Sequence, residues 1–250
     1  MAENILSFGD VVVAFGALRA VDGVTMSVPQ GERRAIIGPN GAGKTTLFNA
    51  ATGILRPTAG TIVFHGRDIT RLPPYRRARL GISRTFQITN LFPTLSVADN
   101  MALAVRGLTA RKFSLFGPTL DAKEARQIEG ALGVVRLSER ADAPVKELSY
   151  GEQRQLEIAL ALVAEPRMLL LDEPAAGLSP SERTMVADII GALPRSLTVL
   201  LIEHDMDLAL GLVDRVTCMH EGRIIAEEAP DMIRRNALVQ EVYLGKPRHP

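Results

Sequence analysis

The chain has 250 residues, enough for one large α/β domain or two small ones with a substantial buried core. Its 29 basic and 28 acidic residues leave a net charge of +1, which excludes a whole-chain field that would draw it to nucleic acid; the cluster Arg71, Arg76, Arg77 and Arg79 reads as a solvated face. One cysteine, Cys218, excludes an internal disulfide framework and suits a reducing compartment. With no apolar run near eighteen residues and no charged-then-apolar start, the expected product is soluble and cytosolic unless a partner holds it at a membrane.

Residues 5–15 and 20–28 read as two Val-rich strands with Gly16-Ala17 near the turn between them. Pro29-Gln30-Gly31-Glu32 breaks the pattern, and 33–37 is the next strand. It runs into Gly38-Pro39-Asn40-Gly41-Ala42-Gly43-Lys44-Thr45, which fits the phosphate-loop pattern G-x-x-x-x-G-K-[ST]; Thr46 and the residues to 51 continue as a helix. The glycines let successive N–H groups turn toward one anion, and the helix N-terminus adds partial positive charge there. Lys44 is expected to reach the β- and γ-phosphates and the Thr45 hydroxyl to hold Mg²⁺, so the loop implies a bound nucleoside triphosphate.

Further on, 61–64 reads as a short strand, His65-Gly66-Arg67-Asp68 as a turn, 74–80 as a basic helix opening on proline, and 82–86 as a strand ending at Gln87. From about 88 to 147 the β-branched runs disappear. Two helical patterns, 97–106 and 122–135, flank a Gly/Pro-containing link at 113–118, as in a helical insertion. A helix over 151–163, an apolar strand over 168–171, a helix over 181–193 and a second apolar strand over 197–202 follow. The tail carries strands at 215–219 and 223–229 and helices at 231–236 and 238–244. Alternating strands and helices imply a mostly parallel sheet covered on both sides.

The strand Met168-Leu169-Leu170-Leu171 ends in Asp172-Glu173. In phosphate-loop enzymes such a strand delivers an Asp to the Mg²⁺ shell, which suits Asp172. Glu173, one residue on, is placed to orient and deprotonate an attacking water. Leu148-Ser149-Tyr150-Gly151-Glu152-Gln153 contains Ser149-x-x-Glu152, by itself a helix capping box. The same segment resembles the L-S-G-G-Q signature of ATP-binding-cassette (ABC) ATPases, between the loop and the Asp-Glu strand as theirs is. With Gln87 and His204 also placed as in that family, the chain from about residue 5 to residue 244 is identified as resembling an ABC ATPase.

The resemblance implies an α/β P-loop NTPase fold, with an antiparallel β-subdomain and a helical subdomain inserted at about 88–147, in one nucleotide-binding domain spanning 1–250 with short C-terminal helices at about 230–245. It implies ATP and Mg²⁺ as cofactors and two cassettes paired head to tail. Ser149, Gly151 and Glu152 then form the half-site offered to the ATP of the facing subunit, with the Ser149 hydroxyl and the Gly151 N–H on its γ-phosphate. Gln87 would touch Mg²⁺ and the water, His204 the γ-phosphate, and Phe15 the adenine, although a core aromatic is the competing reading for Phe15. Tyr150 departs from a signature glycine and Glu152 from glutamine. Ser179, in Ala176-Gly177-Leu178-Ser179, stands where the family commonly has an aspartate that communicates across the dimer.

The stretch from Arg84 through Gln87 to Pro93 resembles one subfamily, the ATP-binding subunits of branched-chain amino acid importers. So do Pro174–Pro180, the segment from Ile202 to Met206, and the ending Val242-Tyr243-Leu244-Gly245. That resemblance implies two membrane permease subunits docked in a groove beside Gln87, a second and usually different ATPase subunit, an indirect periplasmic solute-binding protein, and a peripheral place on the cytoplasmic face of the inner membrane. Leu91-Phe92 reads equally as packing under the insertion. A soluble ABC ATPase of complex assembly, such as iron–sulfur cluster biogenesis, and an exporter subunit remain the alternatives.

Overall fold

A computed structural model describes residues 3–85, 91–108 and 121–244. Gln87 and the expected link at 113–118 lie outside the described residues. Two sheets organise the rest. A four-stranded antiparallel sheet has the order β2-β1-β4-β5, from β1 (Asn4–Phe15), β2 (Leu18–Pro29), β4 (Ala59–Phe64) and β5 (Arg67–Asp68). A six-stranded sheet has the order β10-β9-β3-β8-β7-β6: β3 (Arg33–Ile37), β6 (Ile82–Arg84), β7 (Met168–Asp172), β8 (Thr198–Ile202) and β9 (Arg215–His220) are parallel, and β10 (Arg223–Glu228) is an antiparallel edge.

The apolar runs 168–171 of β7 and 199–202 of β8 follow from burial on two faces. Along β7, Met168 and Leu170 point into a core shared with the antiparallel sheet and with Leu47, Phe48, Ala50 and Ala51 of α1 (Lys44–Thr52). Leu169 and Leu171 point to the opposite face, where they meet Leu156, Ile158 and Ala159 of α5 (Tyr150–Leu162) and Val186, Ile189 and Ile190 of α6 (Pro180–Ala192). The phosphate-loop helix and the helix after the signature therefore lie on opposite faces of the same sheet. On that second face α5 also packs with α3 (Val97–Leu108) and α4 (Ala122–Val134). A third cluster joins Ala35, Ile37, Val216 and Cys218 to α7 (Met206–Leu212), α8 (Pro230–Ile233) and α9 (Ala237–Leu244).

Two expectations need correction. The turn expected over four residues after β4 spans only His65-Gly66, both at positive φ (48° and 72°), and Arg67 already pairs with Phe64 in β5. Two left-handed residues close a hairpin in the fewest positions. Helix α7 was not expected at all; Asp205 starts it by accepting the Leu208 N–H at 3.1 Å. Seven residues with Gly211 inside are too short to show a helical period.

Candidate nucleotide site

Strand β3 ends at Ile37, and the next residue, Gly38, turns with φ +147° into a loop whose Gly41 and Gly43 also sit at positive φ. Gly43 is the left-handed N-cap of α1 and lies so close to the Ala20 carbonyl of β2 that a side chain would collide with it. The Ala42 carbonyl accepts the Gly222 N–H at 3.1 Å, and the Ala42 N–H reaches the Pro39 carbonyl at 3.2 Å. The loop from Gly38 through Asn40 to Thr45 is thus held from β2 and from the β9–β10 turn, while Thr45 remains exposed and Thr46 is half-buried at the start of α1. Lys44 is 6% exposed and its Nζ donates to the Gly38 and Pro39 carbonyls at 2.7 and 3.0 Å. Burial pulls the Lys44 ammonium below its ordinary pKa, opposed by the nearby Glu173 and Asp172 carboxylates. Loop lysine and strand-end carboxylates are therefore within electrostatic reach of one another.

Asp172 ends β7 fully buried. Its Oδ2 accepts from Arg84 Nη2 at 2.6 Å, while Oδ1 has no hydrogen-bond partner among the described residues. An orphaned buried carboxylate oxygen is costly, and it fits a hard divalent cation that takes oxygen ligands and keeps waters or phosphates for the rest. Glu173 follows at φ +51°, in the left-handed region that non-glycine residues avoid, with its N–H on the Ile202 carbonyl at 2.9 Å. That turn brings Glu173 Oε1 to 2.7 Å from His204 Nε2, the residue two places after β8. Strain of this kind persists where the surroundings over-determine it, and it gathers at working sites.

Sequence reasoning passed over Glu203, which braces this corner. It is 4% exposed and accepts the Ala175 N–H at 3.0 Å and the His204 N–H at 3.1 Å. Burial pushes its carboxyl upward against those hydrogen bonds. A Glu beside His204 carried no motif of its own that would have marked it. Phe15 is 52% exposed at the end of the β1–β2 hairpin where Phe15 pairs with Leu18, so it is not a core aromatic. Gln87 lies outside the described residues.

The signature segment is held by a hydrogen-bond set of its own. Ser149 caps α5: its side chain accepts the Glu152 N–H at 3.1 Å, and Glu152 accepts the Ser149 N–H at 2.7 Å. The Gly151 N–H donates to Glu182 Oε1 at 3.0 Å. Glu182 also accepts from the Ser179 N–H and hydroxyl at 2.9 and 2.6 Å, and Ser179 caps α6. These hydrogen bonds hold the Glu182 carboxyl below its usual pKa, those from Ser179 most. Tyr150, the departure from glycine, lays its ring against Gly177. Beside β6, a mostly apolar groove of about 330 Å³ is lined by Leu91, Phe92, Asn100, Leu103 and Leu160. Phe92 is exposed there, whereas Leu91 packs partly under the helices.

A glycine-rich loop on a helix N-terminus, a buried strand-end aspartate beside it and a Glu–His pair at the next strand end define a P-loop nucleotide-hydrolysing domain. The ABC transporter family model matches residues 21–176. The high-affinity branched-chain amino acid transport ATP-binding protein LivG of Escherichia coli (strain K12) is 39% identical, over 98% of this chain and 100% of that protein. Its counterpart BraF of Pseudomonas aeruginosa is 40% identical over the same shares. The ADP conformation of an ATP-binding cassette of an ABC transporter superposes with a TM-score of 0.87 at 31% identity, covering 98% of this chain and 100% of that one. The chain belongs to the ABC transporter family as an ATP-binding cassette, and it is an ATPase.

Proposed function

We propose that this cassette, a single nucleotide-binding domain over residues 1–250 with its helical subdomain inserted at about 88–147, is the ATP-hydrolysing motor of an importer for branched-chain or related amino acids. The observation that carries the reading is the placement of its two ATP-directed halves. Loop helix α1 packs on one face of the six-stranded sheet and signature helix α5 on the other. In this reading the signature, which starts at an exposed Ser149, serves the nucleotide of a facing cassette. The solute follows the LivG and BraF relatives.

In this reading the loop N–H groups and Lys44 bind the phosphates, and Phe15 stacks on adenine. Thr45, Asp172 and Gln87 would hold Mg²⁺, which supplies charge neutralisation at the phosphates. Glu173 takes the proton of the attacking water, and His204, now on Glu173, turns to the γ-phosphate. The Ser149 hydroxyl and the Gly151 N–H grip the γ-phosphate of the facing subunit's ATP. The Gly151 N–H is occupied by Glu182, so closure must redirect it, whereas the Ser149 hydroxyl only accepts in the capping box and keeps its own proton to donate. Losing the γ-phosphate removes the grip and reopens the pair. The groove of Leu91, Phe92 and Leu103 accepts a permease loop, and the permeases hold the cassette at the cytoplasmic membrane face. No helix among the described residues is long and apolar enough to cross a membrane, and in this reading the permeases supply the spanning helices. Co-expression with the permease pair of a branched-chain importer should retain the chain in washed membranes. Its staying soluble with every permease pair while co-purifying with cluster-assembly proteins would contradict the importer reading.

A further inference from the structure

Residue Tyr243 takes no part in the chemistry above, yet it touches the phosphate loop. Its hydroxyl, on α9, accepts the Gly38 N–H at 2.6 Å. The Gly38 carbonyl meanwhile accepts from Lys44 Nζ at 2.7 Å. Gly38 is gripped at both ends, once by the loop's own lysine and once by the last described helix. Its φ is one that side chains rarely adopt, and a Cβ would strike the Met219 carbonyl, so the backbone here is fitted tightly to β9.

The phenol is well placed to hold it. The Tyr243 ring packs against the cluster of Ala35, Ile37, Val216 and Cys218. Burial pushes its pKa up to about 12, so the hydroxyl stays neutral. Helix α9 is itself fixed: Asn236 Oδ1 accepts the Leu238 and Val239 N–H groups at 3.0 and 3.3 Å, Asn236 Nδ2 donates to Glu228 of β10 at 3.0 Å, and Val239 is buried. A short, packed helix thereby delivers one polar atom to the first residue of the loop.

We propose that Tyr243 is a positioning residue for nucleotide binding, fixing the Gly38 peptide so that the loop is set before the phosphates arrive. This rests on the reading of Gly38–Thr45 as the phosphate-binding loop. Lys44 spends two of its three N–H donors on the Gly38 and Pro39 carbonyls, and any shift of its ammonium toward the phosphates loosens that side of Gly38. The tyrosine then keeps the hold on that residue, and the ordering of the loop is not charged against binding.

The test titrates the full chain, its Tyr243→Phe variant and its Lys44→Ala variant with a fluorescent ATP analogue in the presence of Mg²⁺, and follows hydrogen exchange at the Gly38 amide without nucleotide. Tyr243→Phe removes one neutral hydrogen bond and keeps the ring. It should weaken nucleotide affinity about two- to tenfold, raise KM while kcat at saturating ATP is kept, and speed Gly38 exchange. Wild-type affinity and wild-type Gly38 exchange in that variant, with Lys44→Ala binding weakly, would overturn the proposal alone. A lower melting temperature with unchanged affinity and KM would make Tyr243 a fold residue only and also overturn it. Unweakened binding by Lys44→Ala would instead bring down the loop reading, and this proposal with it.

Discussion

Glu173 carries the most constrained backbone of the hydrolytic corner. Its left-handed φ of +51° is held by the N–H bond to Ile202, and the outcome is a carboxylate 2.7 Å from His204 rather than one pointing along the strand. Asp172, one residue earlier, is buried and leaves one oxygen free of hydrogen-bond partners among the described residues. Neighbouring acids thus receive different tasks from their surroundings, one suited to a cation and one to a water. In the proposed mechanism Glu173→Gln keeps the shape and loses the base. Its turnover should fall by about 10²–10⁴-fold while the affinity for ATP survives. Steady-state phosphate release paired with a binding titration checks this, and near-normal release would remove Glu173 from the role of base.

Among the elements, those readable in the sequence were the ones whose local pattern had a single physical cause. Strand β7 is apolar from Met168 to Leu171 because both of its faces are covered, and α5 begins where Ser149 and Glu152 can cap it. What stayed hidden depends on residues far apart in the chain. Nothing near Ser179 announces that Glu182 reaches back to the Gly151 N–H, 31 positions earlier, and nothing near Tyr243 announces Gly38. The Ser179 departure gains a meaning from this: its side chain caps α6 and helps hold Glu182 against the signature. Ser179→Ala should cost about 1 kcal/mol as a lost N-cap and lower the melting temperature by roughly 2–4 °C for a chain of this size. A thermal melt without nucleotide reads it; an unchanged midpoint would mean that the cap contributes nothing.

At the scale of the whole molecule, one sheet lies between the loop helix α1 and the signature helix α5. The face with α1 carries the phosphate loop, and the face with α5 carries the signature, with Ser149 exposed at the helix start and Gly151 buried against Glu182. In the proposed mechanism each cassette owns a catalytic half and lends a recognition half, and the exposed Phe15 of the antiparallel sheet stacks on adenine. Such a division makes hydrolysis a property of a pair, which is how a motor can convert the presence of one phosphate into the closing of two bodies. The most direct measurement of that claim is made on Ser149→Arg, with ATP affinity determined on the isolated chain and ATP turnover on the assembled complex. A signature that serves the other subunit's nucleotide predicts unchanged ATP affinity for the isolated chain and a loss of nearly all turnover in the assembled complex. Turnover equal to the unsubstituted chain, or a loss of ATP affinity in the isolated chain, would contradict it.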